Sequence, residues 1–178
     1  MEFQVGDNVV HWTYGPGIIV QIDQKVITGK TTECYVVEIG EMTLWVPLGR
    51  ADSGSLRPPT PAARFTELLE ILRSPGRPLS SDRLERRNYL IEQVKRGTPE
   101  VICELVRDLS ALKRTGKMND HDKTILERSQ KFLLTEWELV LSVPALQAEQ
   151  TLHRLLEETN PKHSSTMHPD REGPGLSA

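Results

Sequence analysis

Val5-Gly6-Asp7-Asn8-Val9-Val10, followed by Tyr14-Gly15-Pro16-Gly17-Ile18-Ile19-Val20, is the stretch that decides the fold. A short β-run over residues 5–12 meets a Gly-Pro-Gly turn and leaves as a longer β-run over residues 17–27. Valine and isoleucine suit a pleated, half-buried surface, and glycine takes the positive φ that tight turns demand. Thr28-Gly29-Lys30 then reads as a hairpin turn into Thr32–Ile39, and Gly40-Glu41 turns the chain into Thr43–Pro47. Gly54-Ser55-Leu56-Arg57 supplies a short fifth strand. Five short strands in about 60 residues spell a small, strongly bent β-barrel. Such a barrel has little interior room for chemistry, so it points to binding.

Arg57-Pro58-Pro59-Thr60-Pro61 stops the sheet, because proline offers no N–H to a ladder. Beyond it the apolar period becomes 3.6. Thr60 is expected to cap a helix begun by Pro61, with Phe65, Leu68, Leu69 and Leu72 on one face. Ser80, Ser81 or Asp82 caps a second helix that ends at Gly97, and Thr98-Pro99 opens a third through Val101, Ile102, Leu105, Leu109 and Leu112. Asn119 or Asp120 caps a fourth, with Ile125, Phe132, Leu133, Trp137 and Val140 inward. Val143-Pro144 opens a fifth, with Leu146, Leu152, Leu155 and Leu156 inward. The expected fold is therefore α+β in two domains: a β-barrel over residues 1–58 and a compact all-α domain over residues 62–159. Residues 160–178 hold three prolines and no apolar period, which predicts a disordered tail.

The chain has 178 residues and a net charge of -3. The charge is uneven: residues 73–117 hold eleven of the 22 Lys and Arg against six Asp and Glu. A local surplus of this kind can attract an anionic partner although the whole chain is acidic, or it can be a solvated helix surface. No apolar run is long enough for a membrane span, and the N-terminus lacks the pattern of a secretory signal, so a cytoplasmic protein is expected. Cys34 and Cys103 do not make a disulfide framework, which fits a reducing compartment.

Catalytic and cofactor signatures are missing. Gly29-Lys30-Thr31 matches only the end of a phosphate-binding loop; position 24 is Gln where glycine is needed, and the segment joins two strands. No Gly-x-Ser-x-Gly elbow occurs, and the histidines and cysteines lack metal-ligand spacing. No cofactor, no metal and no enzymatic activity are expected. The second helix is unusual. Arg83, Arg86 and Arg87 crowd its first two turns, where cations oppose the helix dipole, and Lys95 and Arg96 follow at its end. These five are candidate phosphate contacts. The alternative is structural, with Asp82 pairing Arg86 at i,i+4.

Taken together, Val5-Gly6-Asp7-x-Val9-Val10, Gly15-x-Gly17, Tyr35–Ile39, Val46-Pro47, Leu56-Arg57 and Glu104-Leu105-Val106-Arg107-Asp108-Leu109 resemble the CarD/CdnL family of bacterial transcription regulators over about residues 1–158. The resemblance implies a Tudor-like, SH3-like barrel that binds the β subunit of bacterial RNA polymerase, and a helical domain that contacts promoter DNA. In the family a Trp begins the second helix and wedges against the opened duplex; here Arg83 stands at that position, with Glu85-Arg86-Arg87 two residues on. DNA contact is therefore expected to be weak and sequence-independent. Lys25 falls where relatives carry a base facing the polymerase, and Trp45, sharing a face with Thr43 opposite Leu44 and Val46, is the expected exposed anchor. A monomer is expected. Two other readings stay open: a protein–protein adaptor without DNA contact, and an RNA- or ribosome-associated module.

Overall fold

The computed structural model describes residues 2–48 and 55–158; the expected tail lies outside them. Strands β1 (Asn8–His11), β2 (Gly15–Ile27), β3 (Lys30–Ile39), β4 (Met42–Pro47) and β5 (Leu56–Arg57) form one antiparallel sheet in the order β4-β3-β2-β1-β5. One face of the sheet closes around Val9, Ile19, Tyr35, Val37, Val46 and Leu56. A bulge at Val20, between the pairs Ile19–Val37 and Gln21–Val36, sharpens the bend of the long second strand. No ladder joins β4 to β5 among the described residues, so the expected barrel is a curled sheet with a seam.

The first turn is not the one the glycines suggested. Gly15, Pro16 and Gly17 are already part of β2, paired with His11, Val10 and Val9. The chain reverses one step earlier, at Trp12-Thr13-Tyr14. There His11 Nδ1 accepts from the backbone N–H of Thr13 at 3.1 Å and of Tyr14 at 3.4 Å. Gly17 is required for close approach instead: a Cβ would lie 2.4 Å from the Glu38 carbonyl oxygen. β1 also starts later than Val5, because residues 4–7 form a turn in which Gln4 N–H donates to the Asp7 carboxylate at 2.8 Å. The β2–β3 loop is the expected tight hairpin, with Thr28 at φ 49° and Gly29 at φ 79° matching the strand twist.

Five helices follow among the described residues: α1 (Ala62–Arg73), α2 (Arg83–Arg96), α3 (Pro99–Arg114), α4 (Asp120–Leu141) and α5 (Ala145–Glu158). Asp82 caps α2 by accepting from Glu85 N–H at 2.8 Å, and Thr98 caps α3 ahead of Pro99. Asn119 and Asp122 cap α4 reciprocally, in a capping box. Phe65, Leu72, Val106, Trp137, Leu152 and Leu155 form part of the main helical core, while Leu90, Leu105, Leu109 and Ile125 join α2 to α3 and α4. Leu146, expected inward, is 66% exposed. At 100° per residue it points away from Ala148, Leu152, Leu155 and Leu156, the face that α5 buries.

Thr60 is not the cap of α1. Its N–H and Oγ1 both donate to Glu136 Oε1 of α4, at 3.0 and 2.8 Å. The Arg57 guanidinium meets the same carboxylate bidentately, at 2.8 and 2.7 Å. Glu136 is 2% exposed. The sheet and the helices also share apolar packing: Val10 belongs to the main helical core, and Phe132 packs close over Gly15. Gly97, the left-handed C-cap of α2 at φ 58°, backs onto Trp12, whose Cβ would stand 3.0 Å from an added Cβ.

Two stability effects follow. Burial by itself would raise the Glu136 carboxyl, but the Arg57 and Thr60 donors outweigh it and hold it below its ordinary value of 4.5. The carboxylate therefore stabilises the fold above pH 4.5, and that contribution is lost as pH falls through the lowered folded value. Glu136→Gln should cost about 2–3 kcal/mol at neutral pH, since Arg57 stays partly solvated. The melting-temperature gap between wild type and variant should narrow below pH 4.5; a gap independent of pH would contradict the ion pair. Gly97→Ala, strained by both its φ and Trp12, should cost about 1–2 kcal/mol in urea unfolding.

Candidate functional site

β4 is an edge of the sheet, and no further strand pairs with it among the described residues. Its central residue, Trp45, pairs across to Val36 and is half-buried. Lys25, exposed on β2, reaches over the indole, with Nζ 4.7 Å from the ring centroid. The two residues singled out from the sequence on the barrel are thus in contact. A lysine stacked on a tryptophan face is held by the ring quadrupole and presents a cation and an apolar plate together. An unpaired backbone edge beside them adds hydrogen-bonding groups for an incoming strand.

Across the seam from Trp45 stand aromatic residues that the sequence reading did not single out. His11, Trp12 and Tyr14 cluster with ring centroids 5.9 and 5.0 Å apart. Together with Trp45, Pro47 and Ser55 they line a groove of about 360 Å³. Burial lowers the His11 pKa, and its Nδ1 already accepts two backbone donors. His11 is therefore neutral at physiological pH and serves as a turn residue. The available signal was the density of aromatics, His11-Trp12-Thr13-Tyr14, in a segment too short to bury them all.

The basic helix divides. Arg83 and Arg87 are exposed on α2. Arg86 is 3% exposed: its Nε and Nη2 donate to Asp122 Oδ2 at 3.1 and 3.0 Å, and Nη1 donates to the Ser80 carbonyl at 2.6 Å. A DNA role for Arg86 is corrected by this packing, because its donors are turned into the α2–α4 contact. The intrahelical Asp82–Arg86 alternative is also replaced, since the partner is Asp122, on α4. Lys95 and Arg96 are exposed and pair along their own helix, with Glu92 at 2.7 Å and Gln93 at 3.3 Å. Leu84 lies between Arg83 and Glu85, yet is 66% exposed. Its signal in sequence was an apolar residue off the Leu90–Val94 stripe.

The loop that delivers the chain to α2 is tied to α3. Asp108 Oδ1 accepts from Arg77 N–H at 2.8 Å and from Arg107 Nε at 2.7 Å, and Arg107 Nη1 donates to Ser74 Oγ at 2.8 Å. The Arg107-Asp108 pair of the family-like segment thus holds the end of α1 and the start of the loop after it against α3. Both cysteines are free and buried. Burial, reinforced by nearby carboxylates, pushes the Cys103 thiol up to about 12, so it is a packing residue. Among the described residues no group of His, Cys, Asp and Glu could hold a metal ion, and no helix is long and apolar enough to cross a membrane.

Comparison with known proteins agrees with this arrangement. Residues 3–60 match the CarD-like/TRCF RID domain, and residues 67–153 match the CarD C-terminal domain. A Bacillus subtilis (strain 168) protein named "Putative transcription factor YdeB" is 29% identical over 147 residues, which cover 79% of this chain and 94% of that protein. With both domain models matched in order and a relative aligned along nearly its whole length, the chain belongs to the CarD-like family, whose members regulate transcription and interact with RNA polymerase.

Proposed function

We propose that the protein binds the β subunit of RNA polymerase through the β4 edge and the Lys25–Trp45 pair, and that α2 then makes weak, sequence-independent contact with promoter DNA. The contact between Lys25 and Trp45 at an unpaired strand edge carries this reading. A half-exposed aromatic beside an exposed cation at a sheet edge is a usual make-up for a binding hot spot. On the helical side, Arg83 and Arg87 supply the phosphate contacts, and Lys95 and Arg96 add to the field near the end of the helix. Leu84 supplies a small apolar tip at the same end of α2 as Arg83. Leucine can serve as a wedge at a base step, although with less area than tryptophan.

The polymerase contact is tested in the full chain, because Val10 and Arg57 tie the sheet to the helices. Trp45→Ala and Lys25→Glu should each weaken binding to the β subunit about tenfold or more, the scale of a single hot-spot residue. Melting temperatures should shift by only a few degrees, since both side chains lie outside the sheet core. Two variants that bind polymerase like the wild type would refute the site.

The DNA contact is tested by salt dependence. Free duplex should bind with Kd of about 10⁻⁴–10⁻⁶ M, the non-specific range. In the polymerase–promoter complex, Arg83→Ala with Arg87→Ala should flatten the salt slope by about two phosphates' worth and shorten the open-complex lifetime. Leu84→Ala should shorten the lifetime without changing the slope. Arg86 is left intact, because its loss would strand Asp122 in the interior. An unchanged lifetime and slope in the double variant would favour the adaptor reading, which the self-pairing of Lys95 and Arg96 also suits.

A further inference from the structure

A cleft of about 250 Å³ opens where the β1–β2 turn, α2 and α4 come together. Its wall is largely apolar, built from Trp12 of the turn, Val94 of α2, and Ile125 and Phe132 of α4. Two cations, Lys95 and Arg128, stand at it, and no Asp or Glu lines it. Arg128 has no ion-pair partner among the described residues, and Lys95 reaches only Glu92 on the exposed side of its own helix. His121 also lines the cleft, and its Nδ1 is buried without a hydrogen-bond partner. Apolar walls with Arg128 and Lys95 beside them and no acidic residue in the lining describe a ligand site rather than a packing defect.

We propose that this cleft binds a small amphipathic anion, a flat apolar body of one or two rings bearing a carboxylate. The size sets the body: a dry cavity of about 150 Å³ already accepts benzene, so this one accommodates two fused rings with a short acidic arm. The charge sets the head. A carboxylate facing Lys95 and Arg128 gains charge-assisted hydrogen bonds, while a cation of the same shape meets two like charges. The ring packs against Trp12 and Phe132, one from the sheet side and one from the helices. A bound ligand therefore touches both units and α2, the helix that carries Arg83 and Arg87. The assignment rests on the cleft and not on the polymerase or DNA readings above, although Lys95 belongs to both the cleft and the basic face of α2.

The test uses the full-length chain and three shape-matched probes: 2-naphthoate, 2-naphthalenemethanol and 2-naphthylmethylammonium. Amide and indole N–H resonances are followed during each titration. 2-Naphthoate should move the Trp12 indole and the amides of Val94, Thr124 and Ile125 in a single 1:1 isotherm. The alcohol should bind at least about tenfold more weakly, and the ammonium should leave these resonances in place. Arg128→Gln, at an exposed position, should weaken 2-naphthoate about tenfold with no change in melting temperature. Val94→Trp, which fills the cleft, should abolish the shifts; if that variant unfolds, the Arg128→Gln titration decides. Shifts scattered over the surface, equal affinity for the three probes, or an Arg128→Gln chain that binds 2-naphthoate like wild type would each overturn the proposal.

Discussion

The Glu136 carboxylate holds the molecule together at its junction. It sits in the interior of α4 and would be untenable there alone, because an unpaired buried charge costs several kcal/mol, on the order of 3–5 by removal of a partner. Arg57 at the end of β5 and Thr60 just beyond it together supply four donor contacts. The proline-rich segment between the last strand and α1 is thereby fastened to the C-terminal part of α4. With that segment held, Val10 meets the helical core and Trp12 seats against Gly97. The cleft between the turn, α2 and α4 owes its form to the same anchoring. The sheet and the helices are therefore coupled through the Arg57–Glu136 pair and the apolar packing around Val10, Phe132 and Trp12.

A second buried ion pair governs what the basic helix can present. Arginine content alone made α2 look like a continuous phosphate-binding face. Packing takes Arg86 out of that face, since Asp122 needs a partner and Ser80 offers a carbonyl to the same guanidinium. Asp122 also accepts the Asn119 N–H at the start of α4, so one residue caps one helix and locks another. What remains outward at the start of α2 is Arg83, Leu84, Glu85 and Arg87: two cations, one acid and an apolar tip. This is a smaller and more mixed surface than five cations would make, and it suits the weak DNA contact proposed above.

Local physics was legible in the chain. Asp82, Thr98 and Asn119 act as caps because capping depends on residues three positions away, and the hairpin at Thr28-Gly29 is set by two dihedral angles. The misread elements all depend on partners remote in sequence, or on side chains standing in for backbone. Thr60 has the form of a cap but answers Glu136, 76 residues on. Arg86 answers Asp122, 36 residues on. The glycine-rich turn was displaced by a histidine ring nitrogen that accepts the turn's own amides. Leu146 followed a leucine count where the helical angle decides. On the candidate site, Lys25 came from family likeness and Trp45 from strand alternation, and their contact was invisible until three strands were laid side by side. Trp12, Tyr14 and Leu84 were visible as apolar residues without a core to enter.

Trp45 is proposed to face the polymerase. A photo-crosslinking amino acid, p-benzoylphenylalanine, placed at position 45 in the full chain tests it most directly, with the same residue at Leu146 on the far side of α5 as control. Irradiation with RNA polymerase should give one adduct, to the β subunit, from position 45 and little from position 146. Adducts from position 146 but not from position 45, or adducts from position 45 confined to other subunits, would contradict the account.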